Sequence, residues 1–225
     1  MRSLCPAYQP HSDLINCSAL IASEAARKSL APTAWFFQPH FASDINQDAS
    51  LETLINEHES RSMPETNTLE HVYIPILDAV GGWYLMLLEV MDRTRFVLDV
   101  CRNPERIPIR VDLMDKICGV LGKMFVSPRN SVNFWQGSPD PTEWGEYQYP
   151  DAIPHDLPSN DTAVWCLYWL QNDGVFSNKI FKHMGSSDRV RMRAAWYILQ
   201  ADANQMRGFI DVRADLLWRD IGGGK

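Results

Sequence analysis

The chain carries five thiols and six imidazoles, two side-chain types that supply much of the covalent and metal chemistry available near neutral pH. The thiols are Cys5, Cys17, Cys101, Cys118 and Cys166. Their odd number, wide spacing and lack of a C-x-x-C pair argue against a disulfide framework and against a zinc site. Buried free thiols in a reducing compartment are the expectation. The imidazoles are His11, His40, His58, His71, His155 and His183, and none shows a spacing such as H-x-x-x-H. No metal or other cofactor is therefore expected. His71 reads as the polar boundary of a strand and His155 as a surface-loop side chain. Arg189, Arg191 and Arg193 gather at a helix start, where the dipole favours acids instead. A solvated face with internal carboxylate pairs is expected there, with an acidic partner surface as the alternative.

The elements that position these groups are legible in outline. Residues 1–11 are polar and proline-bearing and read as a flexible terminus. A helix is expected from Ser12, capped by Ser12 or Asp13 and ended by Pro32, with Leu14, Ile15, Ala19, Leu20 and Ala22 on one face. The aromatic run 35–41 reads as packed, and 48–59 as a small helix. Three strands follow, at 72–76, 83–90 and 94–99. The middle one is apolar without alternation, which suits a strand covered on both faces. The short turn 91–93 predicts that it pairs antiparallel with the next. Residues 103–108 read as a loop and 111–125 as an amphipathic helix. A long loop covers 127–145, with a short strand expected at 146–149. Three helices are expected at 161–170, from Ser187 or Asp188 to about 203, and at 205–219, before a flexible tail at 221–225.

The residues Val72-Tyr73-Ile74-Pro75-Ile76, Trp83-Tyr84-Leu85, the Leu98-Asp99 strand end and Asn160-Asp161-Thr162-Ala163-Val164-Trp165 together resemble the ubiquitin-like-specific (SUMO-type) cysteine protease family. The resemblance is greatest to its plant and transposon-associated branch, and Val190-Arg191-Met192-Arg193 and Arg213-Ala214-Asp215 add to it. It implies an α+β, papain-like cysteine protease fold over residues 12–220, with a central sheet flanked by helices. It also implies a catalytic cleft. Such a protease needs a thiolate, an imidazole that takes its proton and a third group that orients the imidazole. Asp99 matches the family's orienting Asp. Trp83 matches the Trp that follows the catalytic His and covers the substrate's Gly-Gly tail, and Asp161 the Asp before the nucleophile. Gly82 stands where the His is expected and Thr162 where the Cys is expected. The family's oxyanion-hole Gln falls near Asp156, and no Gln occurs between Gln148 and Gln171.

Rescue by other residues is weakly supported. Thr162 without a base is a poor nucleophile and reads as a helix cap or first-turn hydroxyl. Cys166, four residues on, shares its helix face but lies about 6 Å deeper along the axis and reads as a core thiol. Cys101 lies two residues past Asp99, in a loop. His155 is the one plausible substitute base from a nearby loop. Asp99 itself could simply accept backbone N–H bonds at a strand end.

Composition narrows the classes. A net charge of −7 argues against non-specific nucleic-acid binding. No apolar run approaches the ~20 residues of a membrane span, and no secretory signal is visible after Met1. The expectation is an intracellular protein of the nucleus or cytoplasm. Its function is expected to be that of a catalytically inactive relative that binds SUMO or another ubiquitin-like modifier. An active deSUMOylating peptidase with non-standard residues is the alternative, and a relic without activity is the third reading.

Overall fold

Four strands form one sheet in the order β1-β2-β3-β4. They are β1 (Ala34–Phe36), β2 (His71–Leu77), β3 (Trp83–Glu89) and β4 (Thr94–Leu98). In this computed structural model the described residues are 9–66, 68–79, 81–127, 139–154, 156–157, 159–171 and 186–201. The terminal segment 1–8, the expected helix 205–219, the tail, Cys5, His155 and His183 lie outside them.

β2, β3 and β4 pair antiparallel, as the turn spacing predicts, with Tyr73 opposite Leu87 and Leu85 opposite Leu98. β1 adds in parallel along residues 71–73 of β2. The sequence reading saw that segment only as packed aromatics. Its three residues end before Pro75, a residue that has no N–H to offer to a neighbour.

The absence of alternation in β3 follows from the layers on either side of it. Trp83, Leu85 and Leu87 point to one core, with Phe36, Tyr73 and Leu98. There they meet α1 (Ser12–Lys28), α5 (Thr162–Gln171) and α6 (Ser187–Gln200). Tyr84, Met86 and Leu88 point to a second core, with Trp35, Val72, Ile74 and Ile76. Its cover comes from α2 (Pro39–Asn46), α3 (Leu51–Ser62) and α4 (Ile107–Phe125). The architecture is a mixed α/β sandwich with a four-stranded sheet between helices, as expected.

Several boundaries differ from the expectation for local reasons. His11, not Ser12 or Asp13, caps α1, its Nδ1 accepting from the Asp13 N–H at 3.3 Å. α4 starts four residues early because Pro108 sits in its first turn, where a missing N–H costs nothing. α2 was not foreseen; Pro39 opens it in the same way. Residues 146–149 make only one bridge, Gln148 beside Phe96. Among the described residues, no helix is long and apolar enough to cross a membrane.

Candidate functional site

Strand register brings the implied site together. β3 begins where β4 ends, so Gly82-Trp83 and Asp99 share one sheet edge. The β2–β3 turn fixes the approach: the Asp78 N–H donates to the Gly82 carbonyl at 2.7 Å and the Gly81 N–H to the Asp78 carbonyl at 2.8 Å. Gly81 takes φ +89°, a conformation that side chains disfavour. α5 then delivers Thr162 to the same edge. The Trp83 N–H donates to Thr162 Oγ1 at 3.0 Å. With standard bond lengths this holds the Gly82 and Thr162 Cα atoms within about 8 Å.

The Thr162 hydroxyl is engaged both as acceptor and as donor. It accepts from Trp83 and donates its single proton to the Ser159 carbonyl at 2.8 Å. Ser159–Asp161 is a 3-10 turn leading directly into α5. The hydroxyl is buried, and among the described residues no imidazole hydrogen-bonds to it. Among the described residues, the group that would have to lose a proton therefore has no base to give it to, and it staples the first turn of α5 to β3.

Asp99 is buried and doubly engaged. Oδ1 accepts from the Cys101 N–H at 2.9 Å, the strand-end role allowed for from sequence. Oδ2 accepts from Arg110 Nη1. Arg110 also donates through Nε and Nη2 to Asp78 Oδ2, at 2.9 and 2.8 Å. Its guanidinium lies 4.6 Å from the Tyr84 ring centroid. Burial works against this charge, but the Asp99 and Asp78 carboxylates outweigh it and hold the Arg110 pKa above its ordinary value. The carboxylate oxygen that could orient an imidazole is thus occupied by a guanidinium. Arg110 escaped the sequence reading because α4 was expected to start one residue after it. The only available signal was an arginine beside a strand-end aspartate in the order of elements.

The remaining candidates separate. A Cβ built on Gly82 meets nothing within 4 Å, so the first atom of a side chain fits there without a clash. Trp83 is buried and lines one wall of a cleft of about 270 Å³, together with His40, Ser43, Ile76 and Leu77. Asp156 is exposed and pairs with Cys101 in an isolated antiparallel bridge, which sets it beside the end of β4. Asp161 accepts from Arg191 Nη2 at 2.6 Å. Arg191 is buried while Arg189 and Arg193 are exposed, so the arginine row is not one solvated face: its middle member anchors α6 to the start of α5. Cys166 is completely buried. Burial, reinforced by the negative charge of Asp99, pushes its thiol well above the ordinary value. It belongs to the α5 core with Leu167 and Leu170 and cannot serve as a thiolate there. Cys17, Cys101 and Cys118 are also free thiols.

No family model matches the sequence, and no curated protein does. Solved structures match by shape. The SUMO protease Ulp1 with its catalytic cysteine oxidized to a sulfenic acid aligns with a TM-score of 0.58 at 14% identity. That alignment covers 88% of this chain and 80% of that one. The C-terminal Ulp1 protease domain in complex with Smt3, the yeast ortholog of SUMO, gives 0.57 at 13% identity, over 88% and 79%. The Ulp1-like SUMO protease catalytic domain of Chaetomium thermophilum gives 0.50 at 14% identity, over 87% and 74%. The chain has the fold of the Ulp1-like SUMO proteases.

Proposed function

We propose that this chain belongs to the SUMO-type protease family, in its plant and transposon-associated branch, and works by binding a ubiquitin-like modifier without cleaving it. The observation that carries this reading is the fate of the catalytic positions. The hydroxyl at the nucleophile position is consumed by Trp83 and Ser159, and the orienting carboxylate by Arg110. Losing members of a catalytic unit together removes the covalent route. The thiol of α5, Cys166, is sealed in the core. One structure of like fold is a complex with Smt3, which supports a modifier as the partner here.

In this reading the open space at Gly82 receives an extended Gly-Gly tail, bound by main-chain hydrogen bonds. Trp83 covers the tail, and Asp156 and Asp161 border its path. Affinity is on the order of micromolar, because ordering costs offset much of a small polar interface. The protein acts in the nucleus or cytoplasm, and the binding of the tail itself uses no cofactor. Calorimetry of the whole chain against SUMO and other modifiers tests this, with Gly82→Trp as the informative variant. A Cβ there meets nothing within 4 Å, so the new side chain starts from open space outside the core, whereas Trp83→Ala would cut the core itself. Binding that Gly82→Trp abolishes supports the proposal. A folded chain that binds no modifier favours the relic reading.

A further inference from the structure

α2 and α3 bring together donor groups that lie far from the catalytic positions in sequence. Asp44 on α2 and Glu57 and His58 on α3 each place one ligand atom within 4.8 Å of the others. The His58 side chain is completely buried, set against the rings of Phe37 and Phe41 at centroid distances of 6.3 and 5.0 Å. Its Nε2 lies 3.1 Å from Asp44 Oδ2, close to the roughly 3.3 Å between neighbouring ligand atoms of a tetrahedral ion with bonds of about 2 Å. A fourth donor stands close. His40 precedes Asp44 by one helical turn on α2, on the same face, and its ring centroid is 4.9 Å from that of His58. Two imidazoles on one tetrahedral ion, with metal–nitrogen bonds of about 2 Å, have centroids about 5 Å apart.

We propose that α2 and α3 form a divalent transition-metal site, with His58, Asp44 and Glu57 as ligands and His40 completing a four-coordinate shell. Two imidazoles and two carboxylates suit zinc or cobalt better than magnesium or calcium, which prefer all-oxygen shells. The spread of 4.8 Å exceeds the ligand spacing around a bound ion. Glu57 is exposed, so it can close the gap by rotating its side chain. His40 lines the 270 Å³ cleft beside Trp83, which gives an ion a route in from solvent. The ion would tie α2 to α3 beneath the wall of the cleft, a structural role independent of the modifier reading.

The test uses the whole chain, stripped with a chelator and titrated with cobalt(II) and then zinc(II). The expected result is uptake of one equivalent, with a visible d–d absorption typical of tetrahedral cobalt, loss of that band to zinc, and a raised Tm. Removing even an outer partner of a metal ligand costs about 10–100-fold in affinity. Asp44→Asn with Glu57→Gln should therefore weaken binding by at least about 100-fold while leaving the metal-free Tm within a few degrees. His58→Ala is avoided because it empties a core position. Cys17→Ser should bind as the wild type does. No uptake, uptake unchanged in the Asp44→Asn/Glu57→Gln variant, or uptake lost in Cys17→Ser overturns the proposal and leaves a plain His58–Asp44 hydrogen bond.

Discussion

Replacing Arg110 by Met should be among the most damaging single changes near the site. Arg110 and Asp99 are both buried, with side-chain exposures of 5% and 1%. Arg110→Met leaves Asp99 with the Cys101 N–H as its remaining partner. Asp78 suffers less, because it keeps Arg106 Nη1 at 3.6 Å. Stranding one buried charge of a pair costs about 3–5 kcal/mol. For a chain of this size each kcal/mol lowers Tm by about 2–4 °C, so the expected loss is roughly 6–20 °C. Adding Asp99→Asn removes the stranded charge while its amide oxygen still accepts from Cys101. The double variant should therefore recover more than half of the loss. Differential scanning calorimetry reads both. A fall below about 2 °C in Arg110→Met, or no recovery in the double variant, refutes the claim that Arg110 neutralises Asp99.

Thr162→Val keeps the shape but strands the Trp83 N–H and the Ser159 carbonyl, so urea unfolding should show a loss of about 1–3 kcal/mol. Thr162→Ser should retain most of the stability, and equal effects of the two would deny the staple role. At the β2–β3 turn, Gly81→Ala should cost about 1–2 kcal/mol because Gly81 sits at φ +89°. Gly82→Ala should be neutral or stabilise by up to about 1 kcal/mol; the reverse order in thermal melts would contradict the turn geometry. Brief alkylation of the native protein, mapped by peptide mass, should label Cys17 and spare Cys118 and Cys166 until denaturant is added, since Cys17 is exposed and the other two are buried. Native labelling of Cys166 would contradict its sealed position.

The strands were legible because their signals are local. The unbroken apolar run of β3 implied cover on both faces, and the 91–93 turn implied the antiparallel pair. β1 and α2 were not, because one three-residue strand, Ala34-Trp35-Phe36, and one eight-residue helix gain their form from the neighbours they pack on. At the site, the order of elements gave the convergence of Gly82, Asp99 and Thr162, and the residue types at those positions gave the expectation that no thiolate–imidazole pair stands there. The partners were not legible. That Thr162 bonds Trp83, and that Arg110 is the side-chain partner of Asp99, depends on contacts 79 and 11 residues apart in sequence. No periodicity encodes such contacts. Arg191 shows the same limit: its helix was expected, but its burial against Asp161 follows from how α6 docks on α5.

The central proposal is that this chain, with Thr162 and Gly82 at the positions implied for nucleophile and imidazole, binds modifiers without covalent chemistry. Intact-mass spectrometry of the wild-type chain incubated with SUMO and ubiquitin-like modifiers carrying C-terminal electrophiles tests it most directly. The account predicts no added mass at any modifier concentration that keeps the protein folded. A stable one-to-one adduct, mapped by peptide sequencing to Thr162 or Cys166, would contradict it.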